Sequence, residues 1–264
     1  MNKIILLWLL SIISIPAIAQ IETGSTPIEI EANQTLEWDQ KAQTYTARGN
    51  VVVTQGTAKI MADRVTAHYV EKNGRNEMVR LMADGHVKIT DEGNILHSAQ
   101  AQYDLITQNF VATGGALSFE TPDMIITAKK EITFDRASNI ATAKENVILS
   151  HEGDKIYADQ MTAHFAADTE GKLSLHKADA VGAFKIKTPS EIITAQKGIY
   201  NAIKETADIT NNVVIVRGEN QLKGDRASVD FKSGVSKLYN NKSQSSPTRV
   251  RGVFYPGGLK EKAE

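Results

Sequence analysis

Six histidines and a recurring aspartate are the residues that could do acid–base or metal chemistry. The histidines are His68, His86, His97, His151, His164 and His176. Two imidazoles four residues apart on a helix would hold zinc, and no pair here has that spacing. His68 and His164 each precede an aromatic residue in corresponding stretches, so duplication accounts for them. Asp63, Asp159 and Asp225 each follow Ala or Gly. Recurrent carboxylates can pair as acid and base in glycoside cleavage, but a repeated turn residue on the solvent face explains them as well. Gly114-Gly115 lacks the helix and lysine of a phosphate loop. No nucleophile elbow of the G-x-S-x-G type occurs. The chain of 264 residues has no cysteine, which excludes disulfides, thiolate metal sites and cysteine nucleophiles. The expectation is a protein without catalytic residue, metal or cofactor.

The elements that would position any site belong to a repeat. Three stretches resemble one another: ARGNVVVTQGTAKIMADRVTAHY (47–69), ADGHVKITDEGNILHSAQAQY (83–103) and AKENVILSHEGDKIYADQMTAHF (143–165). Weaker copies cover 113–134, 180–200 and 210–231. A half-copy at 28–47 opens the array. The closing aromatics Tyr69, Tyr103, Phe134, Phe165, Tyr200 and Phe231 are 34, 31, 31, 35 and 31 residues apart. Such a fixed period marks a stacked repeat architecture.

Inside each copy the period is two. Val87 and Ile89 alternate with His86, Lys88 and Thr90, and Phe184 and Ile186 alternate with Lys185 and Lys187. This is the pattern of a half-buried strand. Gln55-Gly56, Glu92-Gly93, Glu152-Gly153 and Arg217-Gly218 predict turns. Glu71 to Gly74, Asp168 to Gly171 and Lys232 to Gly234 predict hairpin tips. The reading is all-β: an elongated open stack of about six repeats, each of about three short antiparallel strands. The region near 176–189 is the weakest copy and the expected irregularity. Only 6% of residues are aromatic, which suits a narrow interior with one ring per unit.

Residues 1–19 carry Lys3, an apolar run and a small-x-small motif at Ala17-Ile18-Ala19, the pattern of a cleavable secretory signal. Residues 20–255 form the repeat domain, and 256–264 a flexible tail. A net charge of −1 gives no case for nucleic-acid binding. From Lys242 to Glu264 the balance is +3.

Pro27-Ile28-Glu29-Ile30-Glu31-Ala32 with GNVVVTQGTAKIMADRV (49–65), and GENQLKGDRASVDFKSGVSKL (218–238) with RVRGVFYPG (249–257), resemble the lipopolysaccharide transport periplasmic protein A (LptA, OstA-like) family. The resemblance implies a twisted β-jellyroll of V-shaped strands, open at both ends, holding the acyl chains of lipid A in an apolar groove. It implies a periplasmic, non-enzymatic carrier. Its partners would be inner- and outer-membrane transport components with related domains, together with end-to-end homo-oligomers. The chain carries more repeats than a compact member. The lipid-contact candidates are Ile28, Ile30, Val51, Val53, Val87, Ile89, Phe110, Phe119, Val147, Leu149, Phe184, Ile186, Val213 and Ile215. The docking candidates are Ile28, Ile30, Arg249, Arg251 and Phe254. A β-solenoid enzyme or adhesin acting on surface polysaccharide, and a purely structural scaffold, stay open as alternatives.

Overall fold

The computed structural model describes residues 27–167, 173–240 and 249–255. The signal sequence, the expected tip at Asp168 to Gly171 and the C-terminal tail lie outside them. The described chain is all strand and turn. The first rung is made of β1 (Glu29–Glu31) and β2 (Thr35–Asp39). Four long bent strands follow: β3 (Thr44–Gln55), β4 (Ala58–Lys72), β5 (Arg75–Asp91) and β6 (Asn94–Asp104). Next come β7 (Asn109–Thr113) with β8 (Leu117–Glu120), and β9 (Ile125–Ala128) with β10 (Glu131–Asp135). After them run β11 (Ile140–His151), β12 (Asp154–Ala167), then β13 (Leu173–Val181) with β14 (Lys185–Lys187). The stack finishes with β15 (Ile192–Thr194) and β16 (Lys197–Asn201), β17 (Thr206–Arg217), β18 (Asn220–Asp230), and β19 (Val235–Tyr239) with β20 (Arg251–Val253). All pairings are antiparallel and join the strands into one continuous sheet.

Each repeat holds two bent rungs. In the copies at 113–134 and 180–200 they fall into the expected short strands, β8 to β10 and β14 to β16, whereas β3 to β6, β11, β12, β17 and β18 run on through the corner as single strands of 11–17 residues. The difference comes from the corners. The ladder shifts register between Arg48 and Val51, Asp84 and Val87, Lys144 and Val147, and Thr210 and Val213. At each of these places two consecutive residues have positive φ, as in Gly85-His86 (77° and 46°) and Asn211-Asn212 (69° and 58°). Bulges of this kind bend a strand without ending it. Gly85 and Gly182 sit directly under the carboxyls of Asp63 and Asp159, which leaves no room for a Cβ at either position.

Turns alternate between two edges of the stack. On one edge, the predicted turns form at Gly56, Glu92-Gly93, Glu152-Gly153 and Gly218. On the other, an Asx residue directly after an aromatic caps the turn: the Asp39, Asp104 and Asp135 carboxylates and the Asn201 side-chain carbonyl accept backbone N–H groups two or three residues on, at 2.8–3.4 Å. The closing aromatics lock successive rungs together. The Tyr69, Phe165 and Phe231 N–H groups donate to the carbonyls of Gln43, Asn139 and Glu205 at 2.9–3.0 Å. Each acceptor residue is itself in the left-handed region.

Near 176–189 the hydrogen-bonded stack is unbroken, but the core divides. One buried cluster runs from Ala47 to Tyr200, and a smaller one gathers Phe184, Ile193, Ile209, Val213 and Ala227. Phe184 stands after a corner where other copies carry Val. Its ring fits because Gly198 faces it: a Cβ there would lie 2.6 Å from Phe184 Cζ.

Candidate functional site

The strand register arranges the inward side chains in three rows running along the stack. The first lies at the corners, where Val51, Val87, Val147, Phe184 and Val213 are buried. The second runs along the arm after the corner. It pairs Ile30, Val53, Ile60, Ile89, Leu96 and Phe119 in sequence. It continues through Ile126, Leu149, Ile156, Ile186, Ile193, Ile215 and Leu222 to Gly252. Thirteen consecutive rungs thus contribute an aliphatic or aromatic side chain to one unbroken strip. The third row, on the other arm, runs Tyr45, Ala67, Leu81, Tyr103, Phe110, Phe134, Ala141, Ala163, Ala178, Tyr200, Ala207 and Val229.

The space between the two arms is closed at one end and open along the rest. In the first rungs the arms meet, and Val53, Ile60, Ile89 and Leu96 are buried against Ala67, Leu81 and their neighbours. Further along, Phe119, Ile126, Leu149, Ile156 and Ile186 are only partly buried. Opposite them stand Ala141, Ala163 and Ala178, three alanines in three successive rungs. There a cavity of about 190 Å³ opens, lined also by Phe119, Leu149, Phe184 and Ile186. An apolar cavity of about 150 Å³ already stays dry and accepts a hydrocarbon ligand. A second cavity, of about 360 Å³, lies at the C-terminal end and is lined by Ile215, Leu222, Val229, Leu238 and Phe254. The two share Ile209 and Phe231.

The lipid-contact candidates therefore fall in different places. Phe119, Leu149, Phe184 and Ile186 line the central cavity and Ile215 the terminal one. Val51, Val53, Val87, Ile89 and Phe110 are packed into the core, and Val147 and Val213 are buried at corners beside the open stretch. Ile28 and Ile30 are half-buried beside the first rung. Of the docking candidates, Arg249 and Arg251 are exposed on the last rung, and Phe254 is 67% exposed beside the terminal cavity. Sequence reading missed the three alanines. The signal was present for two of them: the aligned copies put Ala141 where Tyr45 stands and Ala178 where Leu81 stands, whereas Ala163 matches Ala67.

The rims are polar. At the mouth of the terminal cavity Arg217 donates to the Glu191 carboxylate, with an Nη2–Oε2 distance of 2.7 Å. On the opposite edge, the Arg136 guanidinium donates to Asn139 Oδ1 at 3.1 Å. Burial pushes the Tyr103 phenol above its ordinary value, and the charge of Arg136 partly offsets this. The first rung ends in an aromatic cap. Trp38 stacks on Tyr45 at 5.8 Å, and its Nε1–H donates to the Tyr69 hydroxyl at 2.8 Å.

The acid–base candidates do not converge. Asp63, Asp159 and Asp225 sit at corners on β4, β12 and β18, many rungs apart. His86 Nδ1 lies 2.8 Å from Asp63 Oδ2 as a pair on the exposed surface. Among the described residues no three His, Asp or Glu side chains cluster as metal ligands.

The profile of the family described as "LptA/(LptD N-terminal domain) LPS transport protein" matches residues 29–133 and again 125–235. The lipopolysaccharide export system protein LptA of Escherichia coli K12 is 37% identical over 111 residues, which are 39% of this chain and 57% of that protein. LptA of Shigella flexneri matches to the same extent. The chain thus spans a little over half the length of these relatives. The crystal structure of LptH, the LptA-homologous periplasmic component from Pseudomonas aeruginosa, aligns over 87% of this chain and 96% of its own, at 15% identity and a TM-score of 0.20. With two consecutive profile matches spanning nearly all of its described strands, the chain belongs to the LptA/LptD N-terminal domain family of lipopolysaccharide transport proteins.

Proposed function

We propose that this chain carries lipopolysaccharide across the periplasm, between inner-membrane and outer-membrane transport components, with the acyl chains of lipid A held between the two arms of the stack. The observation that supports this reading best is the unbroken apolar strip from Ile30 to Leu222, facing open space over its middle and C-terminal parts. A tail of about twelve methylenes gains roughly 0.8 kcal/mol per CH₂ on leaving water, about 10 kcal/mol at most. Lipid A carries several such tails, so it needs a sheltered route. A continuous strip lets them move along the stack while the sugar and phosphate groups stay in water. No bond is made or broken, so the role is non-enzymatic.

Among the described residues, β1 and β2 pair only with β3, and β19 and β20 only with β18. Free strand edges are templates for pairing with a further strand. The first rung carries Glu29, Glu31, Glu37 and Asp39, and the last carries Lys237, Arg249 and Arg251. Opposite charge at the two ends suits serial docking with related domains and disfavours like-to-like contact.

The test is co-sedimentation of the purified chain with lipopolysaccharide and with its fully deacylated form. Binding of the first and loss of the second is the expected pair of results. Equal retention of both would overturn a tail-holding carrier.

A further inference from the structure

The two arms differ on the side that faces away from the groove. Residues flanking the strip from Ile126 to Gly252 point outward from its arm, because side chains alternate along a strand. These outward positions lie on β9, β14, β15 and β20 and on the matching ends of β11, β12, β17 and β18. They include Lys155, Lys185, Lys187, Lys223 and Arg251 and no Asp or Glu. Across the same rungs the outer face of the other arm carries both signs in pairs: Glu131 with Lys144, Asp179 with Lys177, and Asp208 with Arg226.

The cations of the first face are unmatched. Among the described residues, none of them takes part in an ion pair. Asp123, Glu152, Glu191 and Glu219 border the face in the turns at its edge, and Glu191 is held by Arg217. Lys155 and Lys187 stand directly opposite each other on neighbouring strands, and like charges so placed cost stability. Beside them the Lys185 ammonium lies over the Tyr157 ring, 4.1 Å from its centre.

Between the cations the face is apolar. Ile125 and Ile192 are 43% and 39% exposed, and Val214, Val216 and Val253 are partly exposed. From β12 to β20 there are five inter-strand steps, about 24 Å at about 4.8 Å each. Unpaired cations interleaved with exposed aliphatic side chains fit a partner that is anionic at its surface and apolar just beneath. An anionic bilayer has both layers, phosphates above and acyl chains below.

We propose that this outer face docks on an anionic phospholipid bilayer, with the long axis of the stack lying along the membrane. The inference is independent of the carrier reading, because it concerns the opposite side of the sheet from the apolar strip. Phosphates relieve the repulsion between Lys155 and Lys187, and Ile125 and Ile192 enter the boundary between head groups and tails.

The full chain is sedimented with vesicles of phosphatidylcholine alone and of phosphatidylcholine mixed with an equal part of phosphatidylglycerol. It should pellet with the mixed vesicles only. It should be released as salt rises from about 0.1 M to about 1 M, where the screening length falls from about 10 Å to about 3 Å. Lys155→Gln, Lys185→Gln and Lys187→Gln together should weaken binding about a hundredfold, at about fivefold per cation. Lys144→Gln, Lys177→Gln and Lys197→Gln make the same change of net charge on the other arm and should leave binding nearly unchanged. Ile192→Ser should weaken it as well. Failure to pellet with the mixed vesicles, or equal loss in the two triple variants, would overturn the proposal. Binding to heparin without binding to vesicles would assign the face to a soluble polyanion and overturn it too.

Discussion

Ala67 and Ala163 occupy the same row of the stack, three repeats apart, yet Ala67 is completely buried and Ala163 is partly exposed to the interior. Their neighbours account for the difference. Ala67 lies between Tyr45 and Leu81, which fill the space beside it. Ala163 lies between Ala141 and Ala178, which do not. The inner face is apolar throughout, and side-chain volume along one row decides where the stack is packed core and where it is groove.

This contrast gives opposite outcomes for one substitution. Ala67→Leu forces extra methylenes into close packing and should cost about 1–3 kcal/mol. Ala163→Leu fills open space and should leave stability unchanged or slightly raised, while displacing bound lipid. Urea unfolding of the two variants checks the first effect and lipopolysaccharide co-sedimentation the second.

Phe184 and Gly198 form a matched pair. Gly198→Ala brings a methyl to 2.6 Å from the Phe184 ring, so the ring must move and the smaller core cluster with it. A loss of about 1–3 kcal/mol is expected. Adding Phe184→Leu should recover part of it, since the clash is then relieved. A double-mutant cycle by urea unfolding measures the coupling.

Two aspartates should respond to pH with opposite sign. Burial raises the Asp154 carboxyl above its ordinary 3.8, against a smaller opposing effect of His151, and Glu152 adds to the rise. The folded state therefore holds this proton more tightly, and Asp154 costs stability as pH rises through and above that value. Asp154→Asn should raise the melting temperature at pH 7, and the gain should vanish below about pH 3.8, where both states are protonated.

Asp104 behaves in reverse. The Thr107 N–H, followed in lesser degree by its hydroxyl and the Ile106 N–H, holds the carboxyl below 3.8. Its contribution is present above the ordinary value and is lost as pH falls through the depressed one. Asp104→Ala should cost about 1 kcal/mol at pH 7 and nothing at the acid end. Melting curves from pH 2 to 8 separate the two cases.

Much of this architecture is visible in the residues themselves. The period between Tyr69, Tyr103 and Phe134 marks the unit, and the alternation at Val87 and Ile89 marks the inward face. Bent strands are harder to read than short ones. A bulge at Gly85-His86 looks in sequence like the end of a strand, although β5 runs on through it. The groove is harder still. Val147 and Leu149 alternate identically, yet one is buried at a corner and the other lines the cavity. That difference is set by residues in neighbouring rungs, which become adjacent only after the chain stacks. The aspartate caps are less legible still, because the N–H groups that reach Asp39, Asp104 and Asp135 point at them only once the turn has formed.

Lipid tails in the open interior of the stack are detected most directly by photo-crosslinking. A benzophenone side chain placed at Leu149 or Ile156, and as a control at the exposed corner residue Asp159, is irradiated in the full chain with lipopolysaccharide present. Adducts are expected at Leu149 and Ile156 and none at Asp159. No adduct at either interior position, or equal yield at all three, would contradict tails in the interior.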